Sequence, residues 1–251
     1  MDNLFNTLGA FYESFKAKFD LCFVEDDRFV DYMLSGLGVT LKITVCAVII
    51  GIILGVILAL IRVSHDKTIK TMRPGLPRII LQVLNFISKI YITVIRGIPV
   101  VVQLMIWYFV ILISVKNGDI VGIIAFGINS SAYVAEIIRA GIMSVDSGQM
   151  EAGRSLGFGY IATMRYIILP QAFKNVLPAL CNEFIALLKE TAVVGYIAST
   201  DLTKGAYIIV GRTFQAFLPL IGAALIYLAL VMVLSWLFGK LERRLRTSDN
   251  R

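Results

Sequence analysis

The sequence predicts an all-α integral membrane protein, and three observations carry that expectation. The chain is 58% apolar and only 16% charged, with a mean hydropathy of +0.81, whereas a soluble domain is nearer half apolar and a quarter charged. Its apolar residues gather in runs of about 20, the length of helix that crosses a ~30 Å hydrocarbon core. Its basic residues flank those runs instead of forming one patch, so the net charge of +7 reads as cytoplasmic loops and not as a nucleic-acid surface. One water-bounded core could not hide this much apolar surface.

The elements follow in order. Residues 1–33 are mixed and acidic (Asp20, Glu25, Asp26, Asp27, Asp31). They lack the basic start and apolar core of a cleavable signal and are set apart as an extension outside the membrane. Residues 39–61 make the first span, which must act as the insertion signal. A basic segment, 62–78, follows, broken by Pro74, Gly75 and Pro77. The apolar stretch 79–115 would reach about 55 Å as one helix, too long for a single crossing. Residues 79–95, with Gln82, Asn85, Ser88 and Lys89, are read as an interfacial or cytoplasmic lead-in, and about 97–115 as the second span. Two spans split at Arg96-Gly97-Ile98-Pro99 are the alternative. A polar turn at 116–119 leads to a third span, 120–138, then a polar loop, about 139–174. A fourth span, about 176–198, and a fifth, 218–238, complete a membrane domain over 34–245, and 246–251 is a tail.

Five spans put the termini on opposite sides. Segments 62–78, 139–174 and 239–251 hold fourteen Lys and Arg, against six in 1–33, 116–119 and 199–213. Basic loops stay in the cytoplasm, so the N-terminus is expected outside and the tail inside. Gly51 and Gly55 lie four apart in the first span and allow close helix approach, expected within the chain more than at a dimer seam. Cys22, Cys46 and Cys181 are too scattered for a metal or redox site and read as small packed groups. No Gly-x-x-x-x-Gly-Lys-Ser/Thr phosphate loop occurs, so the chain is not expected to hydrolyse ATP. His65 is the single histidine, and nothing assembles as a catalytic triad, metal cluster or cofactor site.

The loop at 139–174 reads Glu151-Ala152-Gly153-Arg154-Ser155-Leu156-Gly157, then nine residues, then Ile167-Ile168-Leu169-Pro170. A carboxylate at Glu151 suits the positive end of a helix. Gly157 permits a left-handed turn that ends it, and Pro170 can begin the next helix. This pattern resembles the signature loop of the membrane subunits of ATP-binding-cassette importers, Glu-Ala-Ala, three residues, Gly, nine residues, Ile-x-Leu-Pro. The departure is Gly153, where the family usually has Ala. Further stretches are similar to permeases for polar amino acids: Arg96-Gly97-Ile98-Pro99 with Gln103-Leu104, the segment from Ala132 and Tyr133 through Glu136 and Arg139 to Gly141, Asn182-Glu183 with Leu188-Lys189-Glu190-Thr191, and Leu241-Glu242-Arg243. The likeness spans about 35–245.

The resemblance implies a type I importer permease fold in a bacterial inner membrane, with coupling helices on the cytoplasmic side. It implies separate ATPase subunits that hold ATP and Mg, and docking on them by Glu151, Ala152, Gly153, Gly157, Leu169 and Pro170. It also implies an extracytoplasmic amino-acid-binding protein as donor. Five spans are too few to enclose a path, so a second permease chain, identical or paralogous, is expected. An ATP-independent channel or secondary transporter, or a membrane-anchored assembly subunit, are the other readings; neither needs a lever at this spacing.

Charges inside spans cost several kcal/mol unless paired or wetted. Glu183 and Glu190 are seven apart, as are Asn182 and Lys189, which makes a polar stripe at two-turn spacing on the fourth span. Lys189 with Glu190 offers both charges that a zwitterionic amino acid requires. Asn182, Glu183, Lys189, Glu190, Thr191, Arg96 and Gln103 are therefore candidate pathway residues. Ion pairs Lys189–Glu183 or Glu190–Arg96 are the competing reading, and Glu136 and Arg139 read as structural or gating.

Overall fold

Between residues 39 and 61 no proline or helix-breaking cluster interrupts a run of Ile, Leu and Val, so backbone hydrogen bonding continues and a long helix results. The computed structural model describes residues 2–246, with side chains for 9–244, and every element among these described residues is helical. Helix α1 spans Asp2–Phe19. A wide turn, Asp20–Val24, and a tight one, Glu25–Asp27, redirect the chain, with Asp26 and Asp27 at φ 53° and 49°. Helix α2, Ser35–Thr68, is extended N-terminally to make a continuous helix Phe29–Thr68. The expected boundary at residue 33/34 therefore falls inside a helix. Then come α3 (Leu76–Gly97), α4 (Val100–Ile106, continued by Trp107–Ile111), α5 (Gly118–Met143), α6 (Ser147–Ser155), α7 (Tyr160–Thr163), α8 (Leu169–Glu190), α9 (Leu202–Thr213) and α10 (Phe217–Arg246). Apart from Arg246, the tail 246–251 lies outside the described residues.

Among the described residues, four helices are long and apolar enough to cross a membrane: Phe29–Thr68, Leu76–Gly97, Gly118–Met143 and Phe217–Arg244. The second of these departs from expectation. Residues 79–95 lie within α3, while 97–115 holds only the shorter apolar helix Val100–Ile111. The break is chemical. Pro99 favours an extended residue before it, and Ile98 sits at φ −108°, ψ 133°. Ile92 of α3 packs on Ala132 and Ala135 in the later half of α5, and Leu104 of α4 packs with Val121 and Ala125 in its earlier half. The two helices thus form one kinked unit along α5, and that unit begins at Leu76, not at residue 97. The expected fourth span, 176–198, is instead α8, which ends at Glu190 before the tight turn Thr191–Tyr196. Its 22 residues are long enough to cross, but Asn182, Glu183, Lys189 and Glu190 dilute its apolar signal.

Helices in lipid gain little from burying apolar side chains, because lipid is equally apolar; close packing of small residues holds them together. The described residues follow that rule. Ile49, Ile53 and Ile57 of α2 and Leu225, Leu228 and Met232 of α10 are exposed, whereas Gly122, Ala125, Gly127, Ser130, Ser131, Ala132 and Ala135 make the buried seam of α5. Helices α2 and α5 pack along most of their length. Gly51 and Gly55 serve this intramolecular seam: a β-carbon added at Gly55 would lie 2.6 Å from Val134 Cγ1.

Candidate functional site

Two constellations carry the candidate residues. The first is built around α6. Its first turn is capped by Asp146, whose Oδ1 accepts from the Gly148 N–H at 2.7 Å. Glu151 therefore does not open the helix, as its sequence position suggested; a capping carboxylate starts it four residues earlier. The C-terminus behaves as expected. Gly157 adopts φ +89°, its N–H donates to Arg154 O at 3.0 Å, and the Phe158 N–H donates to Gly153 O at 3.1 Å. This paired closure uses a left-handed residue to satisfy carbonyls the helix leaves free.

After this turn the chain folds back. Gly153 is buried, and a β-carbon there would meet Thr163 Cγ2 at 2.6 Å and Ile167 Cδ1 at 2.8 Å. Val63 of α2, Ile142 of α5, Ile168 just before α8 and Ala172 within it gather with Met150 and Met164 in one apolar cluster. The loop is thus joined through packed side chains to the ends of three long helices. Leu169 and Pro170 start α8, as expected. Away from the cluster, Glu151 and Ala152 are exposed, and Leu156 and Ile161 are 77% and 80% exposed.

The second constellation lies between α3, α5 and α8. Glu183 is half-buried and accepts from Ser130 Oγ at 3.0 Å. The guanidinium of Arg96 stacks over the Tyr133 ring, 5.1 Å from its centroid. An open cavity of about 560 Å³ adjoins them, lined by Arg62, Lys89, Arg96, Tyr133, Glu136 and Arg139. At its α2 side Arg139 pairs with Glu136 at 3.0 Å and with Asp66 at 3.4 Å, and Arg62 lies 4.0 Å from Glu136. These charges tie α2 to α5, in line with a structural or gating role for Glu136 and Arg139.

The candidates do not all meet. Among the described residues, no ion pair within 4 Å joins Lys189 or Glu190 to Glu183 or Arg96, so the competing pairs do not form; the pairs present involve other residues. Lys189 and Asn182 are exposed and Glu190 is half-buried on α8. Thr191 is buried, its hydroxyl donating to Leu188 O at 2.7 Å, and it closes the helix. Gln103 is also structural: its Nε2 donates to Ile95 O and Ile98 O, both at 2.7 Å, and so fills carbonyls left free by the break at Pro99. Ser130 and Tyr133 were missed as site residues, although both were visible as polar positions three apart in an apolar span. Among the described residues no three His, Cys, Asp or Glu side chains converge as metal ligands.

Residues 78–247 match the family described as "Binding-protein-dependent transport system inner membrane component". The arginine transport system permease protein ArtQ of Bacillus subtilis (strain 168) is 41% identical over 223 residues, 88% of this chain and 95% of that protein. A putative glutamine transport system permease protein, GlnP of Rickettsia bellii (strain RML369-C), is 39% identical over 220 residues, 86% of this chain and 94% of that one. A crystal structure of an amino acid ABC transporter with histidines superposes with a TM-score of 0.76 at 43% identity, covering 88% of this chain and 98% of the other.

Proposed function

We propose a function from one premise: this chain belongs to the family of binding-protein-dependent transport system inner membrane components. It is a permease subunit of ATP-binding-cassette transporter type. In our reading it passes polar amino acids inward across a bacterial inner membrane, with the N-terminus outside and the C-terminus in the cytoplasm. The observation that supports this most is the α6 loop. It exposes Glu151, Ala152 and Leu156 on one side while its other side is locked to the ends of α2, α5 and α8. A partner that moves α6 moves three long helices with it, because packed side chains transmit displacement without slack. The partner is a separate ATPase, and an extracytoplasmic binding protein delivers the substrate. A second permease chain completes the path.

The relatives named for arginine and glutamine transport handle ligands that share an α-ammonium and an α-carboxylate. Arg96 and Lys189 suit the carboxylate, and Glu183 and Glu190 suit the ammonium. None of the four is taken up by an ion pair within 4 Å, so each charge keeps its capacity for a ligand. Asn182 lies on the same helix face, while Gln103 and Thr191 shape the backbone around the path.

The test uses Lys189→Met and Glu190→Gln in the full transporter reconstituted with its ATPase. We expect normal membrane abundance with loss of substrate-stimulated ATPase activity. A dry ion pair behaves differently: removal of one partner strands a charge at about 3–5 kcal/mol. Loss of abundance in both single variants, restored in the double variant, would therefore exclude these residues from the ligand path.

A further inference from the structure

Residues 1–33 lie outside the stretch that resembles permeases, and their helix has an unusual surface. At 3.6 residues per turn, Phe11, Tyr12, Phe15 and Phe19 fall within an arc of about 100° on α1. All four are exposed, Phe11 at 71% and Tyr12 at 62%, although aromatic rings in water are costly. Lys18 falls just outside one edge of this arc and Lys16 beyond the other, both exposed, while Glu13 projects from the opposite side. From α1 a chain of rings runs Phe15–Phe19–Phe23–Phe29 at centroid separations of 6.5, 5.0 and 6.0 Å. Phe23 and Phe29 pack on Met33, Leu202 and Ile209, so the aromatic face is carried directly to the start of helix Phe29–Thr68. Exposed Val24, Val30 and Leu34 continue apolar surface along the same route.

We infer that α1 lies in the plane of the membrane surface on the N-terminal side, with its aromatic face in the interface and Lys16 and Lys18 reaching lipid phosphates. Three features favour lipid over a protein partner. The face is aromatic, the side-chain class that settles at the headgroup level. Lysines border both edges, where their apolar stems can lie along the interface and their ammonium groups reach anionic headgroups. The neighbouring helix is itself long and apolar enough to cross, so lipid is already the medium beside α1. The helix thereby fixes the depth and tilt of the first span and, through Phe23 and Phe29, braces α9.

The experiment places a nitroxide at Phe15→Cys, at Tyr12→Cys and at Glu13→Cys, in full-length protein with Cys22, Cys46 and Cys181 replaced by Ala. The protein is assembled as the transporter in vesicles of phosphatidylcholine and phosphatidylglycerol. Labels at 12 and 15 should collide several-fold more with oxygen, relative to a water-soluble nickel chelate, than the label at 13. Lys16→Glu with Lys18→Glu should reduce that ratio at 15. Equal nickel access at 12, 13 and 15 would overturn the inference in favour of a helix in water. Shielding of 12 and 15 from both reagents would overturn it in favour of a protein-covered face, and an unchanged ratio in the lysine variant would overturn the phosphate contact.

Discussion

Asp201 shows how one buried carboxylate holds a helix start together. Its side chain is fully buried and accepts from the backbone N–H groups of Thr203 and Lys204, each at 3.0 Å, with Tyr227 OH at 3.4 Å. Leu202 N–H donates to Thr40 Oγ1 at 3.2 Å, which ties α9 to α2. Asp201→Ala leaves the capped donors unmatched and should cost about 1–2 kcal/mol. For a chain of this size that lowers the melting temperature by roughly 2–4 °C per kcal/mol. Asp201→Asn retains an acceptor and should melt higher than the Ala variant. Burial pushes the Asp201 carboxyl above its usual value, so its ionisation opposes folding and the cost grows as pH rises. The melting temperature of Asp201→Asn relative to the unmodified protein should therefore rise between pH 4 and pH 7. A constant difference across that range would contradict the burial argument.

At the scale of the element, the α6 loop sets two glycines against the ordinary preference for a β-carbon. Gly157 at φ +89° sits where a β-branched side chain is strained. Gly157→Val should insert normally, yet fail to co-elute with the ATPase and to support uptake. Retained association and uptake would remove the loop from the coupling role. Gly153 is a closer contest. Ala inside a helix gains about 1 kcal/mol over Gly, but overpacking typically costs about 1–3 kcal/mol, and the β-carbon would fall 2.6 Å from Thr163 and 2.8 Å from Ile167. Sterics should win. Gly153→Ala should be neutral to about 2 kcal/mol destabilising, and adding Ile167→Val should recover part of the loss in a thermal melt. The crowding gives the departure from the family's usual Ala a physical cause.

At the scale of the whole molecule, side is decided by charge and helix direction together. The basic segments 62–78 and 139–174 fall at the same end of the molecule, where Val63 packs in one cluster with Ile142, Val145 and Ile168. Single cysteines in a cysteine-free background test this with an impermeant thiol reagent. Asp26→Cys and Lys204→Cys should label from outside, Lys70→Cys and Arg154→Cys only from the cytoplasmic face. Labelling of Lys70→Cys and Arg154→Cys from opposite faces would exclude the five-span arrangement.

The apolar class, the long helices, the left-handed turn at Gly157 and the start of α8 at Leu169-Pro170 were legible in the sequence. Each depends on composition or on local backbone chemistry within a few residues. The kink at Pro99 was legible too, but the unit it belongs to was not. Residues 79–95 look polar when counted, yet Ser88 is buried and satisfied by its own helix, its hydroxyl donating to Leu84 O at 2.8 Å. Asn85 meets Arg62 at 3.1 Å. Once such groups are paired, they no longer mark an exposed segment. The polar track divided in the same way. Spacing placed Glu183 and Glu190 on one face of α8, but only packing brought Ser130 to Glu183, laid Arg96 on Tyr133 and turned Gln103 back to the break before Pro99. The sequence by itself determined which residues carry charge into the membrane domain. The tertiary structure decided which of those charges are consumed by neighbours, because pairing across helices depends on facing, and facing is set by the close packing of small residues along α2 and α5.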